Sequence, residues 1–216
     1  MTRLFSACAI ALCLLANASY SQDAKAKSIL DGVSKKVSSL KSLKANFSLT
    51  LTGGKGGKVT DSRKGNISLK GQKYHVQLAG QEIICDNHTV WTYNKDAKEV
   101  QVTNFNADEQ SISPAKLLTN FWDKEYKYTY KGERAESGKK CDVIELQPTD
   151  AKKKLLKIEL LVDKASSTIV GGNYWEKNGN KYQYTVSNFT PNANIPDSYF
   201  TWDAKAHPGV ETVDMR

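Results

Sequence analysis

From Ala45 onward the chain is ruled by a period of two. Ala45, Phe47, Leu49 and Leu51 alternate with Asn46, Ser48 and Thr50, the pattern of a strand with one apolar face. The alternation returns in Ile67 and Leu69, in Tyr74, Val76 and Leu78, and in Val100 and Val102. Turn signals separate these runs: the cluster Gly53-Gly54-Lys55-Gly56-Gly57, then Lys70-Gly71-Gln72, Ala79-Gly80, Asp86-Asn87 and Asn94-Lys95-Asp96. Connections this short fit antiparallel hairpins, because parallel strands need long crossovers. Further strands are predicted over 125–131, 140–147, 154–163, 167–176 and 181–189, with a short one near 199–202 and a bend or bulge at Gly171-Gly172.

Two segments break the pattern. Over residues 24–43, Ile29, Leu30, Val33, Val37, Leu40 and Leu43 recur at helical spacing, with Lys and Ser on the other face. Over 111–122, Ser113 is a suitable N-cap, Pro114 suits the first helical position, and Leu117, Leu118 and Phe121 form one apolar face. The expected fold class is therefore mainly β with a few helices. A single antiparallel sheet of about eleven strands curls into an incomplete barrel, and the helices cover its mouth. About eight strands already make a barrel that side chains can fill, so a wider sheet leaves room for a helix, water or an apolar ligand.

Residues 1–21 read as a signal peptide: Arg3, an uncharged apolar run from Leu4 to Ala16, and two small-residue cleavage signals, Ala16-Asn17-Ala18 and Ser19-Tyr20-Ser21, the second being favoured. Removal before Gln22 leaves one domain, 22–216, bound for the periplasm. Neither Cys8 nor Cys13 sits well for lipid attachment. In an oxidising compartment the remaining Cys85 and Cys141 are expected to form a disulfide, two buried free thiols being the alternative.

The formal charge of +8 falls to +7 with Arg3 removed. It is spread over scattered lysines and short clusters such as Lys152-Lys153-Lys154. Solvated surface is the ordinary reading of these, and weak attraction to anionic lipid the lesser one. No nucleic-acid motif is present. His75, His88 and His207 have no ligand spacing from a cysteine, so no metal and no cofactor is expected. There is no Gly-x-Ser-x-Gly elbow. Glu82, Glu99 and Glu145 could in principle supply an acid–base pair, but solvated strand faces explain them better. No catalytic residue is assigned.

The C-terminal run Tyr184-Thr-Val-Ser-Asn-Phe-Thr-Pro-Asn-Ala-Asn-Ile-Pro-Asp-Ser-Tyr-Phe-Thr-Trp202, continued by Pro208 to Asp214, resembles the closing segment of the periplasmic outer-membrane lipoprotein carriers, the LolA family. Val37 to Ser48, Lys64 to Lys70, Cys85 to Asn94 and Ile112 to Phe121 resemble other parts of that family in order. The resemblance implies a half-barrel that holds lipoprotein acyl chains and shuttles them from the inner to the outer membrane. It further implies an inner-membrane lipoprotein-releasing transporter as donor and an outer-membrane acceptor, with the carrier a monomer. Carriage or sensing of another envelope lipid or glycolipid on the same fold is the alternative. The expected cavity residues are Phe47, Leu49, Ile67, Leu69, Val76, Leu78, Trp91 and Tyr93, and the expected lid residues are Leu117, Leu118 and Phe121. The family often places an arginine latch for the lid where this chain has Gly71, flanked by Lys70 and Lys73.

Overall fold

The computed structural model describes residues 18–53, 57–106, 122 and 125–216. The predicted lid face Leu117, Leu118 and Phe121 lies outside the described residues. A helix, α1 (Ala18–Ser38), precedes twelve strands. These are β1 (Leu43–Gly53), β2 (Lys58–Lys70), β3 (Lys73–Leu78), β4 (Gln81–Cys85), β5 (Thr89–Asn94), β6 (Glu99–Asn104), β7 (Tyr126–Glu136), β8 (Lys139–Pro148), β9 (Leu155–Asp163), β10 (Thr168–Glu176), β11 (Lys181–Pro191) and β12 (Glu211–Asp214).

All twelve form one sheet in the order β12-β6-β5-β4-β3-β2-β1-β11-β10-β9-β8-β7. Two antiparallel meanders, β1–β6 and β7–β11, meet where β1 pairs with β11. The outermost strands β12 and β7 do not pair, so the sheet is not closed into a barrel. The strand count is one above the expected eleven because β12 adds a short parallel partner to β6. Near 199–202 the expected strand is replaced by a 3-10 turn, Asp197–Phe200, which follows Pro196 and buries Phe200 completely.

The helix stops earlier than its apolar spacing suggests. The Ser39 N–H donates to the carbonyls of Lys35 and Lys36, and its hydroxyl donates to Lys36 O at 2.7 Å. These bonds satisfy carbonyls that a helix end leaves open. Leu40 and Leu43 then leave the helix to pack in a cluster on the sheet. Upstream, Ala26, Leu30 and Val33 are almost fully buried and Ile29 and Val37 pack beside them. This stripe lies across β7 and β10, and defines the helix-bearing face of the sheet.

Glycines permit two close approaches. A Cβ on Gly172 would lie 2.2 Å from Glu159 O and 2.9 Å from the Tyr184 ring. Gly171-Gly172 follows a register shift in the β10–β9 pairing, as the sequence suggests. A Cβ on Gly65 would lie 2.3 Å from Gln77 O and 2.6 Å from the Phe47 ring, so its absence lets that ring lie across β2.

The expected disulfide is not formed: Cys85 and Cys141 are both buried free thiols. Cys85 on β4 and Cys141 on β8 have six strands between them in the sheet order. Cys85 pairs with Tyr74 on the helix-bearing face, whereas Cys141 packs with Val143, Leu161 and Val170 on the opposite face. A disulfide needs Cα atoms within about 7 Å, and this topology keeps the two apart.

Candidate functional site

Cross-strand register on the helix-bearing face of β1–β4 lines up three rows. Phe47 faces Gly65, which faces Leu78. Ala45, Ile67, Val76 and Ile83 form the second row, and Leu43, Leu69, Tyr74 and Cys85 the third. Side chains opposite one another across strands interact directly, and these form one cluster. Its buried members are Leu43, Ala45, Phe47, Ile67, Leu69 and Val76. Leu40, Tyr74, Leu78, Ile83, Val186 and Phe189 pack against it half-buried. Leu49 belongs to the neighbouring cluster under α1, and Val186 touches both. Of the eight expected cavity residues, six therefore share this face. The expected cavity list left out Leu40, Leu43, Ala45, Tyr74, Ile83, Val186 and Phe189. Ile83 is hard to assign because Ile83-Ile84 puts an apolar residue on each face.

Trp91 and Tyr93 are the exceptions, and their expected inward orientation is corrected. Trp91 pairs with Ile84, and Ile84 with His75, which places both aromatics on the face opposite the rows. There the segment after β11 packs on Tyr93. Tyr93 packs on Trp202 and His207, each at 5.1 Å, and Trp202 stacks on His207 at 3.9 Å. The aromatic character of β5 holds down the chain's own C-terminal segment.

Polar groups pin the same segment. His75, 5% exposed, is hydrogen-bonded through Nδ1 to the Tyr199 carbonyl at 2.9 Å and through Nε2 to Glu82 Oε1 at 2.5 Å. The imidazole of His207 stands 3.9 Å from the other oxygen, Glu82 Oε2. The bond from His75 holds the Glu82 carboxyl below its usual range, against the opposing effect of burial. Lys70 donates to Ile195 O at 3.0 Å and to Asp197 at 2.7 Å, and Lys73 lies 3.3 Å from Asp197. Lys70 and then Lys73 lower the Asp197 carboxyl in turn. The two lysines flanking Gly71 thus fasten the C-terminal segment.

No acid–base pair is assembled from the three carboxylates noted in the sequence. Glu82 is engaged by His75, Glu145 by Lys157 at 2.8 Å, and Glu99 accepts from Gln101 at 2.9 Å. By register Glu99 lies on the helix-bearing face and Glu82 on the other. Among the described residues no group of His, Cys, Asp and Glu is arranged to hold a metal. Tyr74 and Cys85, facing each other at the edge of the third row, are both pushed above their ordinary titration range by burial. They enter the apolar face as neutral groups.

The arrangement is a broad, mostly aliphatic cluster without a charged group in its rows, with its central members buried in this structure. Surfaces of this kind take up hydrocarbon through the area removed from water, about 25 cal/mol per Å², and impose no directional chemistry.

A search of curated proteins gives no match. Among solved structures, an uncharacterized conserved protein from Thermus thermophilus aligns with a TM-score of 0.61 at 12% identity, over 88% of this chain and 99% of that one. A LolA superfamily protein from Nitrosomonas europaea aligns at 14% identity and a TM-score of 0.43, over 83% and 98% of the two chains. LprF from Mycobacterium bovis aligns at 14% identity and a TM-score of 0.45, over 81% and 96%. The family model described as outer membrane lipoprotein carrier protein LolA matches residues 38–203, from the end of α1 to just beyond Trp202, and the chain belongs to that family.

Proposed function

We propose that the protein is a periplasmic carrier, not an enzyme. It binds the acyl chains of lipoproteins on the helix-bearing face of β1–β4 and moves them from the inner to the outer membrane. The observation that carries this reading is the set of apolar rows through Phe47, Ile67, Leu69, Val76 and Leu78, on a sheet whose edges do not join. Each buried methylene is worth about 0.8 kcal/mol, so a chain of about sixteen carbons resists leaving a membrane by roughly 12 kcal/mol. A soluble carrier must offer apolar area on that scale. Under this reading the leader is cleaved before Gln22 and the monomer works between a releasing transporter and an outer-membrane acceptor. Leu117, Leu118 and Phe121 serve as the lid.

The test is to recover the protein from its native envelope and identify co-purifying molecules by mass spectrometry. Acylated proteins are expected, and depletion should strand lipoproteins at the inner membrane. Recovery of free glycolipid with normal lipoprotein sorting would replace this reading by carriage of another envelope lipid.

A further inference from the structure

At the end of the sheet where β10 turns into β11, register places five residues in one row on the face away from α1. Val59 on β2 pairs with Thr52 on β1, Thr52 with Lys181 on β11, Lys181 with Trp175 on β10, and Trp175 with Lys157 on β9. The row spans four strand spacings, about 19 Å. Lys157 and Lys181 lie over the Trp175 ring at 4.8 and 5.4 Å. One end of the row, Val59, is an exposed aliphatic side chain, and a second exposed one, Leu156, follows next to Lys157 at the other end. Val59 is 64% exposed, and Leu156, the extra residue at the β9–β10 register shift, is 53% exposed.

Lysines crowd the same end. The loop before β9 carries Lys152, Lys153 and Lys154, and the β10–β11 turn carries Lys177. The Lys177 N–H donates to Lys154 O at 2.9 Å, which ties the two loops together. The nearby carboxylates are largely engaged: Glu125 by Lys153, Glu145 by Lys157, Glu176 by Asn178 and Asn180, and Asp150 by the Lys152 N–H. Lys152, Lys154, Lys177 and Lys181 form no ion pair among the described residues.

We propose that this end of the sheet is a docking surface for an anionic membrane, with Trp175 at headgroup depth, Val59 and Leu156 dipping below it, and the lysines on lipid phosphates. Tryptophan favours the membrane–water interface because one part of its ring system is apolar and its N–H is polar. Lysine stems lie along apolar material while their ammonium groups reach charged headgroups. The surface is opposite the aliphatic rows, so it stands or falls separately from the cargo reading.

The test is sedimentation of the purified protein with vesicles of phosphatidylglycerol in phosphatidylcholine and with vesicles of phosphatidylcholine alone. Binding is expected for the first only, and high salt should weaken it. The Lys157→Gln/Lys181→Gln double variant should bind about twenty-five-fold more weakly, at about fivefold for each lysine removed. Leu156→Glu, an exposed change that leaves the core intact, should also weaken binding. Lys139→Gln/Lys140→Gln, an equal charge loss at the opposite end, should leave binding unchanged. No binding to anionic vesicles, or an equal loss in the Lys139/Lys140 pair, would overturn the proposal.

Discussion

The two halves of the helix-bearing face are built from different side chains. In β7–β11 the face is rich in tyrosine: Tyr126, Tyr128, Tyr130, Tyr174 and Tyr184 surround Ile144, Leu146, Ile158 and Leu160, and α1 lies on them. Tyr174 stacks on Tyr182 at 4.3 Å, and Tyr130 donates to Asp142 at 3.2 Å. In β1–β4 the rows are mostly aliphatic, their aromatic members being Phe47 and, at the margin, Tyr74. Aromatic rings prefer defined mutual geometries and their hydroxyls seek partners, so a tyrosine surface suits one permanent occupant, here the chain's own helix. Aliphatic rows have no directional demand and suit an occupant that must slide in and out. The difference divides the sheet into a half that holds the fold and a half that we propose holds cargo.

The sharpest way to break this division is to truncate each half. Leu30→Ala, under α1, removes a side chain that is 1% exposed. It should cost about 2–5 kcal/mol of stability, read by denaturant unfolding, while the folded fraction binds an acyl probe as before. If probe binding falls and stability does not, the two halves do not differ as argued.

Gly65→Ala works on the other half. Its new methyl would meet Gln77 O and the Phe47 ring, an overpacking cost of about 1–3 kcal/mol. Displacing Phe47 should also lower acyl-probe affinity, measured by fluorescence titration. Unchanged affinity at reduced stability would make Phe47 a core residue only.

A smaller effect is expected on the opposite face. Glu82 titrates below its ordinary value of 4.5 because of the bond from His75. Its stabilising contribution is therefore present above about pH 4.5 and is lost as pH falls through the lower folded value. The melting temperature of the native protein should drop more on acidification through this window than that of Glu82→Gln. Parallel pH profiles would remove the carboxylate from the account of the C-terminal pin.

The smallest effect concerns the thiols. Because Cys85 and Cys141 are free and buried, reductant should leave the melting temperature unchanged. A thiol reagent should label both cysteines only on unfolding.

Much of the sheet was legible because turn residues punctuate it and one face of most strands is polar. Where both faces are buried, alternation loses its meaning. Ile83-Ile84 and Val90-Trp91 are apolar on both sides, and on the face away from α1 the segment from Ile195 to His207 packs on β3–β5 through Tyr199, Trp202 and His207. No local pattern told Trp91 and Tyr93 which way to point. The end of α1 was hidden for a related reason: Leu40 and Leu43 continue the helical spacing, yet they serve the aliphatic cluster on the sheet. The cysteine pairing depended on sheet order, which joins β1 to β11 and carries β4 far from β8. The latch position could be read as Lys70-Gly71-Gln72-Lys73, but its partner Asp197 is 127 residues away from Lys70. The short β12 has only Val213 half-buried among exposed neighbours, too little for a hydrophobic signal.

The most direct measurement is photo-crosslinking with a lipoprotein peptide whose acyl chain carries a terminal diazirine, followed by mapping of the modified residues. Modification is predicted on Phe47, Ile67, Leu69, Val76 and Leu78, with Trp91, Tyr93 and the tyrosines beneath α1 left untouched. Crosslinks confined to the face that carries Trp91, or spread evenly over both faces, would contradict the account.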